Sequence, residues 1–214
     1  MSLRYVYFKK IILRSKIQLF YILSFKFYFF MLPTGHFAAG YLTSTFTLSS
    51  LINLYPAVND PKFLALGLFA SVAPDLDEFY AFYVAKGFWF KKKDKAIIHR
   101  NYLSHAPLLH LFVGLASFVV GLVANSSDLQ LYAILYIVGT WTHFFFDSFF
   151  YGVKWLWPFS NNLYAFRKPG EDMAKIEASG FFSYWIGFLK LYVRDLVFYL
   201  EALVIVVAVS AYLY

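Results

Sequence analysis

The sequence predicts an all-α integral membrane protein, a polytopic helical bundle of four core transmembrane helices plus a C-terminal span. Three observations predict it. The 214 residues are 61% hydrophobic, 23% aromatic and only 14% charged, with a mean hydropathy of +0.59, more apolar surface than a water-soluble fold of this size can hide. Several apolar stretches approach the roughly 20 residues needed to cross a bilayer. Lys and Arg alternate between dense and sparse in the segments that join them.

Taken in order, residues 1–30 are basic and aromatic, but Lys26 interrupts the apolar run from Ile17 to Phe30 and no small-residue cleavage site follows. This segment reads as an amphipathic helix or a further weak helix. The sequence MLPTGHFAAG from Met31 also resembles a natural beginning, so residues 1–30 are set apart as an extension whose native status stays open. The four core spans are expected at about His36–Leu54, Phe63–Val84, Leu103–Ala124 and Leu129–Tyr151. Only Asn125 to Asp128 join the third to the fourth, which makes these two an antiparallel hairpin. Phe181 to Leu189 is too short to span and reads as an interfacial helix, whereas Leu196 to Leu213 is a fifth span interrupted by Glu201. The chain thus divides into the extension 1–30, a membrane-embedded domain 31–160 and a C-terminal region 161–214.

The basic residues orient these spans. Arg4 to Lys26 precede the first, Lys86 to Arg100 fill the loop after the second, and Lys154 to Arg194 follow the fourth, whereas the loops after the first and third hold little beyond Asp60, Lys62 and Asp128. The N-terminus and the second and fourth loops are therefore expected in the cytoplasm, with the C-terminus outside. The net charge of +7 has the same origin, so no nucleic-acid partner is expected and membrane lipids are.

Ionisable residues at the edge of a span are costly and mark function by default. With that orientation, His36, Asp75, Asp77, His99, His105, His143 and Asp147 all fall at the cytoplasmic face, although only Lys and Arg defined it. His143 and Asp147, at i and i+4, share one helix face and can reach one ion. Asp75 and Asp77 would point to opposite sides of a regular helix; Pro74 breaks or kinks it there and leaves DLD as irregular backbone lining a polar cavity. Ser104 is placed to cap the third span, and Gly35 and Gly40 flank His36 where a second helix can approach. There is no cysteine, so a bound metal has only nitrogen and oxygen ligands. Four His and three Asp exceed one tetrahedral zinc and suit two ions bridged by a carboxylate, a pair able to acidify water and clamp a phosphoester. Zinc is favoured, with manganese or magnesium as alternatives. Arg100 could hold an anionic phosphate, and Glu78 could accept a proton or support a ligand.

Plainer explanations exist for each feature. Asp75 and Asp77 could simply end a helix, His143 and Asp147 could hydrogen-bond without metal, and the lysines at 91–95 serve topology and lipid contact. His110 falls outside the group and is expected to be a hydrogen-bonded or snorkelling residue, and Trp155 and Trp157 belong to an aromatic belt. No HExxH, GxSxG, Walker or dinucleotide fingerprint occurs.

The ordered set GHFAAGYL, APDLDEF, HRNYLSHAPLLH, THFFFD and GVKWLWPFS resembles the predicted membrane-bound metal-dependent hydrolases of bacteria and archaea, whose bacterial members are often described as LexA-regulated. The likeness covers about residues 31–160. It implies roles for His36, Asp75, Asp77, His99, Arg100, His105, His143 and Asp147, and departs from the family pattern at Tyr102, Leu103 and Ser104. The expectation is a hydrolase of the inner membrane acting on an ester or phosphoester, plausibly of a lipid. The rivals are a metal-ion or small-solute transporter using the same cluster, and a non-catalytic protein whose His and Asp only tie helices together.

Overall fold

A computed structural model describes residues 33–77, 80, 101–149, 152–166 and 181–213. The extension 1–30, Glu78, the lysine run, His99, Arg100 and Lys168 lie outside the described residues. Those described contain helices and no strand, the nearest approach to one being a single bridge between Val153 and Tyr164. The helices are α1 (Pro33–Leu51), α2 (Pro61–Val72), α3 (Pro107–Val123), α4 (Ser127–Asp147), α5 (Phe181–Tyr192) and α6 (Leu196–Leu213).

Their ends follow local chemistry. Proline opens α2 and α3, where its missing N–H is harmless. Asp60 caps α2 by accepting from the Lys62 N–H, and Ser126 caps α4 by accepting from that of Leu129. Between α3 and α4 the chain reverses over three residues, with Asn125 in the left-handed region at φ 50°. Ser104 is not the cap expected of it. Ala106 occupies that position without a side-chain bond, because Leu103–His105 forms a 3-10 turn that carries Ser104 away from the helix start.

Span two is interrupted at Pro74, as expected, and most of its expected course after Asp77 lies outside the described residues. The α-helix stops at Val72, where Pro74 cannot continue the hydrogen-bond ladder, and Ala73–Leu76 follows as a 3-10 turn. Among the described residues, α4 and α6 are long and apolar enough to cross a membrane, and α3 is apolar but shorter. At 19 residues α1 is long enough, but it is rich in Ser and Thr. Those hydroxyls are satisfied internally: Thr43, Thr45, Thr47 and Ser50 each donate to the carbonyl four residues earlier.

Helix α4 is central and touches α1, α2 and α3. Small residues allow its neighbours to close in. Gly40 of α1 faces Ser71 of α2, and Ser44 of α1 faces Gly67 of α2, a reciprocal pair of small-xxx-small contacts. Gly139 of α4 lies against Ala70 and the Gly67 carbonyl, where a Cβ would come within 2.7 Å of each. At the far end Val58, Phe63, Leu131 and Leu135 form a buried apolar cluster. Helix α6 runs parallel to α1, since Thr34 donates to Glu201 at 2.9 Å near the start of α1 and Tyr41 meets Tyr212 further along.

Candidate metal centre

The small-residue contacts between α1, α2 and α4 bring together side chains from distant parts of the sequence. His36 comes from the first turn of α1, Asp75 from the turn that Pro74 imposes after α2, His105 from the turn before α3, and His143 and Asp147 from the last turns of α4. The His36, His105, His143 and Asp147 side chains are fully buried, and Asp75 is 11% exposed. One atom each from Asp75, His105, His143 and Asp147 lies within 4.8 Å of the other three.

The tautomers follow from what stands behind each ring. His143 Nδ1–H donates to the Ser71 carbonyl at 2.9 Å, and His105 Nδ1–H donates to Asp77 Oδ2 at 3.0 Å. When these imidazoles are neutral, both Nε2 atoms present lone pairs to the cluster. They meet carboxylate oxygens, which are also acceptors: His105 Nε2 is 3.5 Å from Asp75 Oδ1 and 3.6 Å from Asp147 Oδ2, and His143 Nε2 is 3.5 and 3.3 Å from the same two atoms. These gaps exceed the usual N–H···O range of about 2.7–3.2 Å. They are close to the donor–donor edge of about 3.3–3.4 Å in a tetrahedral site with zinc bonds of about 2.0–2.1 Å. His143 Nε2 and Asp75 Oδ1 are buried and make no hydrogen bond among the described residues. Imidazole lone pairs that face carboxylate oxygens at these distances suit a shared divalent cation, so the residues fit the metal that the resemblance implies.

The other oxygens of the same carboxylates face His36. Its Nε2 is 3.5 Å from Asp147 Oδ1 and 3.8 Å from Asp75 Oδ2, and neither ring nitrogen makes a hydrogen bond among the described residues. The ring stacks on His143 with centroids 4.1 Å apart. Asp75 and Asp147 thus each turn one oxygen toward His105 and His143 and the other toward His36, an arrangement suited to two ions sharing carboxylates.

Asp77 stands elsewhere. It is expected with the ligands, but the structure sets it behind His105, where Oδ2 accepts from that ring and from the Ser104 hydroxyl. The 3-10 turn explains the split, because it sends Asp75 to one ring nitrogen of His105 and Asp77 to the other. His110 is held inside rather than snorkelling: it donates from Nε2 to the Ser104 carbonyl at 3.0 Å and accepts from Tyr136 at 2.7 Å, which braces the turn carrying His105. Lys154 does more than mark topology. It is buried and donates to the Asn101 carbonyl at 2.7 Å, and burial lowers its pKa below that of an ordinary lysine. Among the described residues, the Ser71 carbonyl carries a supporting contact that the sequence did not single out, and Ser104 and Glu201, noted there only as a cap and as an interruption of a span, have partners that no spacing signature marks.

Helices packed through small residues around a buried imidazole–carboxylate cluster, two of them long and apolar enough to cross a membrane, make up the described residues. The chain belongs to the YdjM inner membrane protein family, which matches residues 31–214. That match continues well past residue 160, where the motif resemblance ends. No curated protein and no solved structure matches the chain.

Proposed function

We propose that the chain is a membrane-bound metal-dependent hydrolase acting on an ester or phosphoester of a lipid at the cytoplasmic face, in a bundle whose four core helices and C-terminal helix all cross the bilayer. The observation that carries this is the convergence of two imidazole Nε2 atoms, each fixed from behind, on the oxygens of Asp75 and Asp147. A divalent ion, zinc by preference, would be held by Asp75, His105, His143 and Asp147, with His36 and the far carboxylate oxygens placed for a second, and when bound it supplies an acidified water and an electrophile for the ester oxygen.

The chain's own groups have separable tasks. Asp77 holds the His105 ring in its tautomer, and the Ser71 carbonyl does the same for His143. Arg100 neutralises the anionic substrate and Glu78, next to Asp77 in the chain, accepts a proton. His99 completes the ligand set.

Depth supports hydrolysis over permeation. At 1.5 Å per residue, His143 lies about 24 Å and Asp147 about 30 Å along α4 from its outer end. Asp75 lies about 22 Å from the outer end of α2, and His36 about 5 Å inside the opposite end of α1. In a hydrocarbon core of about 30 Å these positions are near one face, whereas a transporter site is expected near the midplane. The test is metal analysis of the purified protein followed by a panel of phospholipid and phosphoester substrates. Cleavage that requires Asp75 supports the proposal; metal-dependent flux into proteoliposomes with no ester cleaved would replace it with the permease.

A further inference from the structure

A groove that meets the cluster at Asp75 is largely apolar in its lining. It runs between α1 and α6 with a volume of about 890 Å³, and Asp75 is the one acidic side chain in its lining. Phe37 and Tyr41 of α1 form one wall, Val209 and Tyr212 of α6 the other, and Leu76 lies beside Asp75. From Thr34 to Tyr41 the groove follows α1 for about 10 Å. Phe37 is 50% exposed and Leu76 47%, so the groove is open along its side and not a closed core void.

We infer that this groove seats the acyl chain of a lipid whose ester or phosphoester reaches the cluster at Asp75, so that substrate enters sideways from the bilayer between α1 and α6. The inference rests on the proposed hydrolase and adds where the lipid's acyl chain is held and by what route it enters. Three features select the occupant. The volume is that of a ligand pocket, about 300–1,000 Å³. Its walls offer aromatic and aliphatic surface to the groove's whole length, so a polar chain would lose its water without replacement. Asp75 belongs both to the groove and to the cluster, which places the polar end of a seated molecule against the donors while its tail lies along α1. Aliphatic chain at one end and an ester at the other describes a lipid.

Two measurements on the metal-loaded full chain in mixed micelles test this. The first follows a phosphatidylglycerol probe with a photoreactive diazirine in one acyl chain, with cross-linked peptides mapped after irradiation. Capture should concentrate on the Phe37–Tyr41 and Val209–Tyr212 peptides over the outward face of α3 around Val119. The second compares phosphoesters that share a headgroup but differ in chain length. Val209→Trp, which narrows the groove, should lower the long-chain to short-chain ratio of kcat/KM at least tenfold while metal content is kept, and Val119→Trp should leave that ratio as in the unmodified protein. Should Val209→Trp fold poorly, Phe37→Ala should shift the same ratio and the cross-linking stands alone. Capture spread evenly over lipid-facing helices, groove residues captured by the chain's own first 32 residues, or a ratio indifferent to Val209 would overturn the inference. Groove-specific capture with no ester cleaved would instead overturn the hydrolase and leave the groove as a lipid-binding site.

Discussion

Gly40→Ala tests whether helix packing sets the cluster's geometry. A Cβ at residue 40 would lie 2.1 Å from Ser71 Oγ and 2.5 Å from Ser71 Cβ. The hydroxyl can rotate but the Cβ is fixed to the backbone, so α1 and α2 must separate by about 1 Å or more to approach an ordinary carbon contact of about 3.5–4.0 Å. Overpacking of this kind costs about 1–3 kcal/mol, or roughly 2–4 °C in Tm per kcal/mol for a chain of this size. The same movement reaches the site. His36 is one turn before Gly40, and the Ser71 carbonyl holds His143. Metal affinity should therefore fall about 10–100-fold, as when a group that orients a ligand is lost. Thermal unfolding of the detergent-solubilised protein and metal content after dialysis against a graded chelator read the two effects. Gly40→Ala combined with Ser71→Gly should recover much of both, although glycine in the last turn of α2 itself costs about 1 kcal/mol. A single variant with unchanged Tm and metal, or a double variant no better than the single, would refute the link between packing and site.

Other outcomes follow from the same geometry. His143→Ala and Asp147→Ala should each lower metal content, and the double variant should lose little more, because both reach one centre; full occupancy in both single variants would favour a structural hydrogen bond. Asp75→Asn should abolish turnover and metal retention, whereas Asp77→Asn should weaken metal affinity about 10–100-fold and keep partial occupancy, since it acts through His105; equal losses would place Asp77 among the ligands. Glu201→Ala should destabilise by about 1–3 kcal/mol by leaving Thr34 and Tyr192 without their acceptor, with Glu201→Gln milder, as read by unfolding in detergent. Cysteines at Lys92 and Lys168 should be labelled only from the cytoplasm and one at Ser127 only from outside; outside labelling of Lys92 would reverse the orientation.

Much of the helical order is legible because apolar runs and prolines are local signals. Leu196–Leu213 coincides with α6, and the i, i+4 spacing of His143 and Asp147 does place both on one face, 3.3 Å apart. The sequence also marks the break at Pro74, since a proline without an N–H interrupts a helix wherever it stands inside one. What it does not mark is direction within a turn. Asp75 and Asp77 carry the same side chain two residues apart, and only the orientation of the 3-10 turn relative to His105 sends one to the cluster and the other behind the ring. Ser104 illustrates the same limit: serine before a proline-led helix is a good cap by propensity, yet the 3-10 turn at Leu103–His105 leaves Ala106 in the cap position and turns the Ser104 hydroxyl to donate to Asp77. Glu201 is visible as an interruption in an apolar run, but its partners Thr34 and Tyr192 lie 167 and 9 residues away and only packing identifies them.

On the proposed topology, the distribution of the cluster over the chain has a consequence for biogenesis. Helices enter a membrane in the order they are made, and a carboxylate at depth costs about 2.5–3.5 kcal/mol when it enters alone. In this chain α1 brings a single imidazole, the turn after α2 brings its acids near the face, and α4, the last element to contribute to the cluster, brings the fully buried Asp147. By then the earlier donors are waiting, so the most expensive passenger inserts where its partners have already been assembled. Closure of the cluster thus waits for α4, ahead of α6, and a nascent chain halted before Asp147 would lack part of the cluster however well its first helices had settled.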